Sequence, residues 1–462
     1  MSELFKNIEK FKNKIALVDQ HNKKYSYKYI SEKIKYIQSK IKKNSVILVV
    51  ASNNVESIIG YMSFIRSKNI SVLLDKSFKV EYANKIIKKY KPNYIFFPKG
   101  YFNWQTKFQK IISGKDYILA RTHYKKYKNI NEKNLLLLST SGTTQNPKFV
   151  RLSNLNLTTN TKSIIEYLNI DSKQITITTM PMAYSYGLSI INSHLHAGSK
   201  IIVNNNSMFE KKFWEKMSYY KVNSFGGVPQ FYEQLQKLKF ENLNTKYLKY
   251  ITQAGGKLKN AQIDYFSRVC VKEKIKFYIM YGQTEASPRM SYLSPEKLIL
   301  KKGSIGQPLV DTKFYLVNEN KKKILKPFTN GELVFKGNNV SLGYSKNLKD
   351  LEKGDENKSI LYTGDIAFKD KDNFFYIVGR KNRFIKIFGI RYNLDDIEDI
   401  LKKNKINAIC LSKDDKLNIN LKKNFNEEKI KQILFDSFKI RKTEILVSKI
   451  QEKNIITGFK SI

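Results

Sequence analysis

Residues 135–150, LLLLSTSGTTQNPKFV, decide how the rest of the chain is read. Four consecutive leucines suit a strand buried on both faces, the kind found in a parallel sheet covered by helices. They run into Ser139-Thr140-Ser141-Gly142-Thr143-Thr144, and the stretch closes on Pro147-Lys148. A turn with so little side-chain bulk lets backbone N–H groups approach an anion closely. Its hydroxyls can donate to phosphate oxygens, and Lys148 adds a point charge. An ordinary polar turn after a buried strand would look the same. The P-loop of ordinary nucleotidases is excluded, because no G-x-x-x-x-G-K-[ST] occurs.

Upstream, the same alternation repeats. SVILVVAS, ISVLLD and NYIFFP read as strands. NVESIIGYMSFIRSKN reads as a helix opened by Asn54 as its cap. LVDQHNKKYSYKYISEKIKYIQSKI reads as strand, turn, strand and an amphipathic helix with Ile30, Ile34 and Ile37 on one side. Downstream, 153–170 reads as a helix, QITITTMPMAYSYGLSI as a strand followed by a turn, and INSHLHAGSKIIVN as helix and strand. Further strands end at Gly226-Gly227, Gly255-Gly256 and Tyr281-Gly282. Such a β/α rhythm implies parallel strands joined by crossover helices, with ligands gathered at the C-terminal strand ends. From about residue 303 short strands and turns take over, and the final 80 or so residues form a small α+β unit. The expected fold is α/β: a large N-terminal domain of β/α sheets with a β-rich subdomain, then a small α+β domain.

The totals exclude several classes. At 462 residues with 41% hydrophobic and 27% charged content, the composition is that of a soluble globular protein. No apolar run reaches about 18 residues, so no transmembrane segment is expected. The first residues, interrupted by charge, argue against secretion. Two distant cysteines, Cys270 and Cys410, make a disulfide framework or a cysteine metal site unexpected, with the cytoplasm as the default location. His194 and His196 would share a face if on a strand, but without a third ligand packing is the preferred reading. The formal charge of +44 attracts acidic partners in general. It is spread along the chain, and Lys, Ile and Asn abound together, as a genome rich in A/T codons dictates. No basic stripe or recognition motif marks a nucleic-acid protein.

Six segments then fall in order: STSGTTQNPK at 139–148, AGG at 254–256, YGQTE at 281–285, GEL at 331–333, YTGD at 362–365 and GRKNRFIKIFGIR at 379–391. This series resembles the adenylate-forming superfamily of acyl-CoA synthetases, nonribosomal peptide adenylation domains and luciferases, across nearly the whole chain. The resemblance implies that ATP, with Mg²⁺, activates a carboxylic acid as acyl-AMP, and that the acyl group passes to a thiol. It makes Thr140, Ser141, Gly142, Thr143, Thr144 and Lys148 the phosphate loop. It stacks Tyr281 on adenine beside Gly282, lines that slot with Gly255 and Gly256, and sets Thr284 on the α-phosphate. Glu285 would ligate Mg²⁺, and Asp365 would accept the ribose hydroxyls with Arg380 nearby. A domain of residues 1–381 would precede a mobile domain of 382–462. The hinge is then Asn382, with Lys386 and Gly389 on the face used when the thiol arrives.

Three departures stand out. Gln145 replaces the usual loop glycine, Asn382 replaces the usual hinge aspartate or lysine, and the closing Gly-Lys pair is split as Gly458-Phe459-Lys460. Lys460 is the candidate for the lysine that bridges substrate carboxylate and phosphate, with Lys453 as the alternative. A catalytically weakened nucleotide-binding protein acting through a partner is the competing reading. In the α-amino-acid adenylation domains that the chain resembles, an aspartate in this part of the pocket pairs with the substrate ammonium. The equivalent segment here, 181–187, PMAYSYG, carries no acid, and an unpaired buried ammonium is costly. An acid without an α-amine is therefore expected, in a pocket walled by Tyr184, Tyr186, Gly226 and Gly227. The acceptor is coenzyme A or the phosphopantetheine of a carrier protein; such carriers are acidic, and the positive charge leans toward one.

Overall fold

Three of the four leucines lie in a strand buried on both faces, and Leu135 leads into it. In Leu136–Ser139, Leu136 and Leu138 join one apolar cluster and Leu137 the other. The computed structural model describes residues 3–101, 104–139, 148–387, 390–413, 416–421 and 425–449. Leu136–Ser139 runs parallel to Ile70–Asp75, then Val46–Ala51 and Tyr94–Pro98. Antiparallel strands flank this centre, Phe149–Leu152 and Gly343–Ser345 on one side, Tyr117–Arg121 and Gln109–Ser113 on the other. Helices cover both faces. Tyr27–Ser39 buries Ile30, Ile34 and Ile37 on one, with Val55–Arg66, whose Asn54 cap accepts from the Glu56 N–H; Val80–Tyr90 packs on the other.

A second sheet of nine strands has a parallel core, in spatial order Ile15–Val18, Lys200–Ile202, Ile175–Ile177, Ser224–Gly227, Tyr250–Gln253 and Lys276–Gly282. Arg289–Leu293 closes one side antiparallel to Lys276–Gly282. The helix Ser185–His196 begins earlier than the sequence pattern suggests. Its residues through Leu195 are buried on every side, so no amphipathic stripe marks where it starts. His194 and His196 therefore sit two apart on a helix, about 200° around its axis, and face different neighbours.

Packing divides the chain into two units. One holds both large sheets and Phe335–Leu361; the other holds Tyr315–Val334 and the described residues from Tyr362 onward. In the second, Ile360–Lys369 pairs antiparallel with Phe375–Arg380. Beyond it a small α+β core forms around Ile397, Leu401, Ile419 and Leu434, from the helices Leu394–Lys403 and Glu427–Phe438 and a three-stranded sheet. The architecture is the expected α/β one, with large sheets followed by a C-terminal α+β region.

Candidate functional site

The pairing of Ser139 with Phe149 draws together the two ends of segment 140–147. Thr140, Ser141, Gly142, Thr143, Thr144 and Gln145 lie outside the described residues. Lys148, just past them, places Nζ 3.1 Å from the centroid of the Tyr344 ring. Burial lowers its pKa from the ordinary lysine value, and the nearby Glu285 charge works against that. The Tyr344 hydroxyl donates to Glu285 Oε1 at 2.8 Å. Glu285 is also held by its main chain, whose carbonyl accepts from the Ser341 N–H at 2.8 Å. One residue earlier, the Thr284 hydroxyl lies 3.1 Å from that of Ser185, the first residue of its helix. The exit of the loop, the YGQTE turn and the PMAYSYG segment thus converge through named contacts.

The tyrosines and glycines expected at an acyl pocket are brought together. A Cβ on Gly226 would meet the Tyr186 hydroxyl at 2.6 Å, and one on Gly255 the Tyr184 hydroxyl at 2.6 Å. Gly255 also has φ +84°, a conformation that favours glycine. Gly256 faces Pro229 and Gly227 faces Phe231. Tyr186 donates to the Thr252 carbonyl at 2.9 Å and meets Tyr184 edge-on at 6.4 Å. Tyr281 packs edge-on against Phe314 at 6.2 Å, and Gln283 Nε2 donates to its hydroxyl at 3.3 Å. At Gly282 the ladder bulges and the Pro288 carbonyl occupies the space a side chain would need, so packing by itself requires glycine there.

In the second unit, Asp365 and Arg380 sit directly opposite on paired strands, with Arg380 Nε 2.7 Å from Asp365 Oδ1. Asn382 lies in the turn Lys381–Arg383, whose two ends are tied to different places. Lys381 pairs with Glu332 at 2.7 Å. Arg383 pairs with Asp395 at 2.8 Å and Glu398 at 2.6 Å, on the helix Leu394–Lys403. Lys386 falls on the strand Phe384–Ile387. Gly389, Lys453 and Lys460 lie outside the described residues.

Two buried arginines escaped the sequence reading. Arg151, on Phe149–Leu152, has no exposure and binds Glu356 at 2.6 Å together with the carbonyls of Leu342, Tyr344, Lys353 and Gly354. Arg289, 2% exposed, opens the strand that follows the YGQTE turn. Their signal was available: only nine of the chain's 84 basic residues are arginine. Where composition drives basic positions to lysine, a retained arginine marks a place needing a planar fork of donors.

Among the described residues no cluster of three or more His, Cys, Asp or Glu could hold a metal. His194 packs against the Ile190 carbonyl and the Tyr250 hydroxyl, and His196 accepts from the Phe5 N–H. Glu285 is a lone carboxylate whose Oε1 accepts from Tyr344 and whose Oε2 takes no hydrogen bond from a described residue, a donor of the hard-oxygen kind that Mg²⁺ would need.

The sequence pattern of the AMP-binding enzyme family matches residues 4–345, and the chain belongs to that family. Among curated relatives, it is 29% identical over 271 residues to an oxalate–CoA ligase of Arabidopsis thaliana, covering 58% of this chain and 52% of that one. It is 27% identical over 268 residues to a 2-succinylbenzoate–CoA ligase of Bacillus cereus, covering 58% and 54%. The chain thus spans about half the length of the curated relatives it matches. Its fold matches O-succinylbenzoate coenzyme A synthetase of Bacillus subtilis in complex with AMP (TM-score 0.75, 18% identity, 97% of this chain and 95% of that one). It likewise matches ATP-bound MatB of Rhodopseudomonas palustris (TM-score 0.72, 16% identity, 98% and 96%). Among the described residues no helix is long and apolar enough to cross a membrane.

Proposed function

We propose that the chain couples ATP to a carboxylic acid lacking an α-amine and then transfers the acyl group to a thiol. The observation that carries this is the convergence of Lys148, Glu285 and Thr284 beside the Tyr184–Tyr186 wall. A carboxylate resists thiols because oxide does not leave. In the proposed first step its oxygen attacks the α-phosphorus, the α–β P–O bond breaks and pyrophosphate departs. In the second, a thiolate attacks the acyl carbon and AMP leaves with the bonding pair. Lys148 and the loop 140–144 grip the triphosphate, Thr284 the α-phosphate, Tyr281 the adenine, and Asp365 with Arg380 the ribose. Mg²⁺ on Glu285 would neutralise phosphate charge. Asn382, pinned on each side to a different element, suits a hinge between 1–381 and 382–462. Coenzyme A is the favoured thiol, because the relatives' names are those of CoA ligases; a carrier-protein phosphopantetheine is the alternative.

Acid-dependent exchange of labelled pyrophosphate into ATP tests the first step, and thioester formation with coenzyme A or a loaded carrier tests the second. Exchange is expected only with acid present, and Lys460→Ala should lower it about 100-fold, a typical loss for a group stabilising transition-state charge. Nucleotide binding without exchange for any acid would leave the weakened-homologue reading in its place.

A further inference from the structure

We propose that Arg289 is an anion anchor in the acyl pocket, and that the acid activated here carries a second carboxylate beyond the one that is adenylated. This rests on the proposed acid activation. Arg289 is sealed from solvent, yet no carboxylate of a described residue pairs with it. Nη1 donates to the Tyr167 hydroxyl at 2.6 Å and contacts the Met280 sulfur at 2.6 Å, and Nη2 donates to the Ser189 hydroxyl at 3.2 Å. Nε has no hydrogen-bond partner among the described residues. The described groups it touches are neutral, and a buried cation without a counter-ion is unfavourable unless a ligand supplies one.

Its surroundings say where that ligand lies. The guanidinium carbon stands 4.5 Å from the Tyr186 ring centroid, and its charge acts on the phenols of Tyr184 and Tyr186, the two walls of the expected pocket. Asn160 holds the arginine main chain from both sides: Oδ1 accepts from the Arg289 N–H, and Nδ2 donates to the Arg289 carbonyl at 2.7 Å. Asn339 adds a second donor to that carbonyl at 2.9 Å. Arg289 also sits opposite Gly282 on the ladder that leads into Thr284 and Glu285, so one strand pair carries both the adenylation residues and the anchor. A planar fork with an open Nε is the geometry that takes a carboxylate side-on.

The test is acid-dependent pyrophosphate exchange with monocarboxylates and dicarboxylates of matched length and shape. Wild-type protein is expected to favour a dicarboxylate about 100-fold or more in kcat/KM, since a site built for a polar group rejects the analogue lacking it. Arg289→Met should reduce that ratio to within about tenfold, chiefly through the KM of the diacid, and Arg289→Lys should restore part of it. Equal use of mono- and dicarboxylates by wild type overturns the proposal. So does an Arg289→Met protein that loses both substrates alike with the ratio intact. Should Arg289→Met not fold, the wild-type ratio decides alone. Exchange with monocarboxylates only would sink this inference and leave acid activation standing; no exchange with any acid would sink both.

Discussion

Arg151 directs its guanidinium at four main-chain carbonyls and the Glu356 carboxylate, whereas Arg289, equally buried, meets a phenol, a thioether and a hydroxyl. The first arrangement clamps 342–356 to the strand Phe149–Leu152, and so holds Tyr344 where it can receive Lys148 and reach Glu285. The second leaves a positive charge without a carboxylate partner among the described residues, beside the rings of Tyr186 and Tyr167. One charge is consumed by the fold; the other is kept available.

The largest expected effect separates the two directly. Arg151→Met removes five hydrogen bonds made by a fully buried guanidinium, one of them to the Glu356 carboxylate, and at about 1 kcal/mol each should cost about 3–5 kcal/mol in urea unfolding. Arg289→Met removes an unpaired buried charge, while Tyr167 and Ser189 keep their other acceptors, the Met280 sulfur and the Tyr186 carbonyl. Replacing such a charge with an apolar side chain is often near neutral, so its cost should stay within about 1 kcal/mol. Equal losses would mean that Arg289, too, is a structural clamp.

A smaller effect sharpens the account of the field around Arg289. Burial pushes the His194 pKa down to about 4; its hydrogen bond to the Ile190 carbonyl opposes that, and the Arg289 charge adds to it. Between pH 6.5 and about 4 the unfolded chain takes up a proton that the folded chain refuses. Stability is therefore full above pH 6.5 and lost as pH falls toward 4, by roughly 2 kcal/mol between pH 7 and 5. Comparing urea midpoints at these pH values in wild type and His194→Gln checks the size. Arg289→Met should raise the His194 pKa, read by NMR titration, and shrink the pH dependence; an unmoved titration would mean the guanidinium charge does not reach this helix.

How much of this was legible in sequence follows from range. The strand Leu136–Ser139, the Asn54 cap and the Ile30–Ile34–Ile37 stripe are local patterns, and each stands where the residues indicate. The helix Ser185–His196 was legible in its second half, from Ile191; its first turns escaped because burial on every side removes periodicity. The arginines escaped because their partners are remote: Glu356 lies 205 residues from Arg151, and Tyr167 lies 122 from Arg289. The grouping of Tyr184, Tyr186 and Gly226 was legible only through resemblance, since nothing local says which strand ends are neighbours. The meeting of Gly255, expected at the adenine slot, with Tyr184 was not legible at all. Ser185 and Tyr344, which tie Thr284 and Glu285 in place, carry no motif of their own.

A third arginine marks the exposed end of the scale. Arg380 is half exposed, and its 2.7 Å pair with Asp365 crosses a two-stranded ladder whose backbone bonds hold without it. Water reaches the guanidinium but not the Asp365 carboxylate, which loses one charged donor, so Arg380→Ala should cost about 1–2 kcal/mol. Asp365, nearly buried, keeps the Thr363 hydroxyl at its own N–H, which fixes its main chain independently of Arg380. ATP affinity measured by calorimetry should therefore fall only about threefold in Arg380→Ala. If Asp365 accepts the ribose hydroxyls, Asp365→Ala should weaken binding about tenfold or more, as loss of hydrogen bonds to a charged group requires. An Arg380→Ala protein as unstable as Arg151→Met would show that exposure does not order these arginines, and the contrast between the buried pair would then need a different cause.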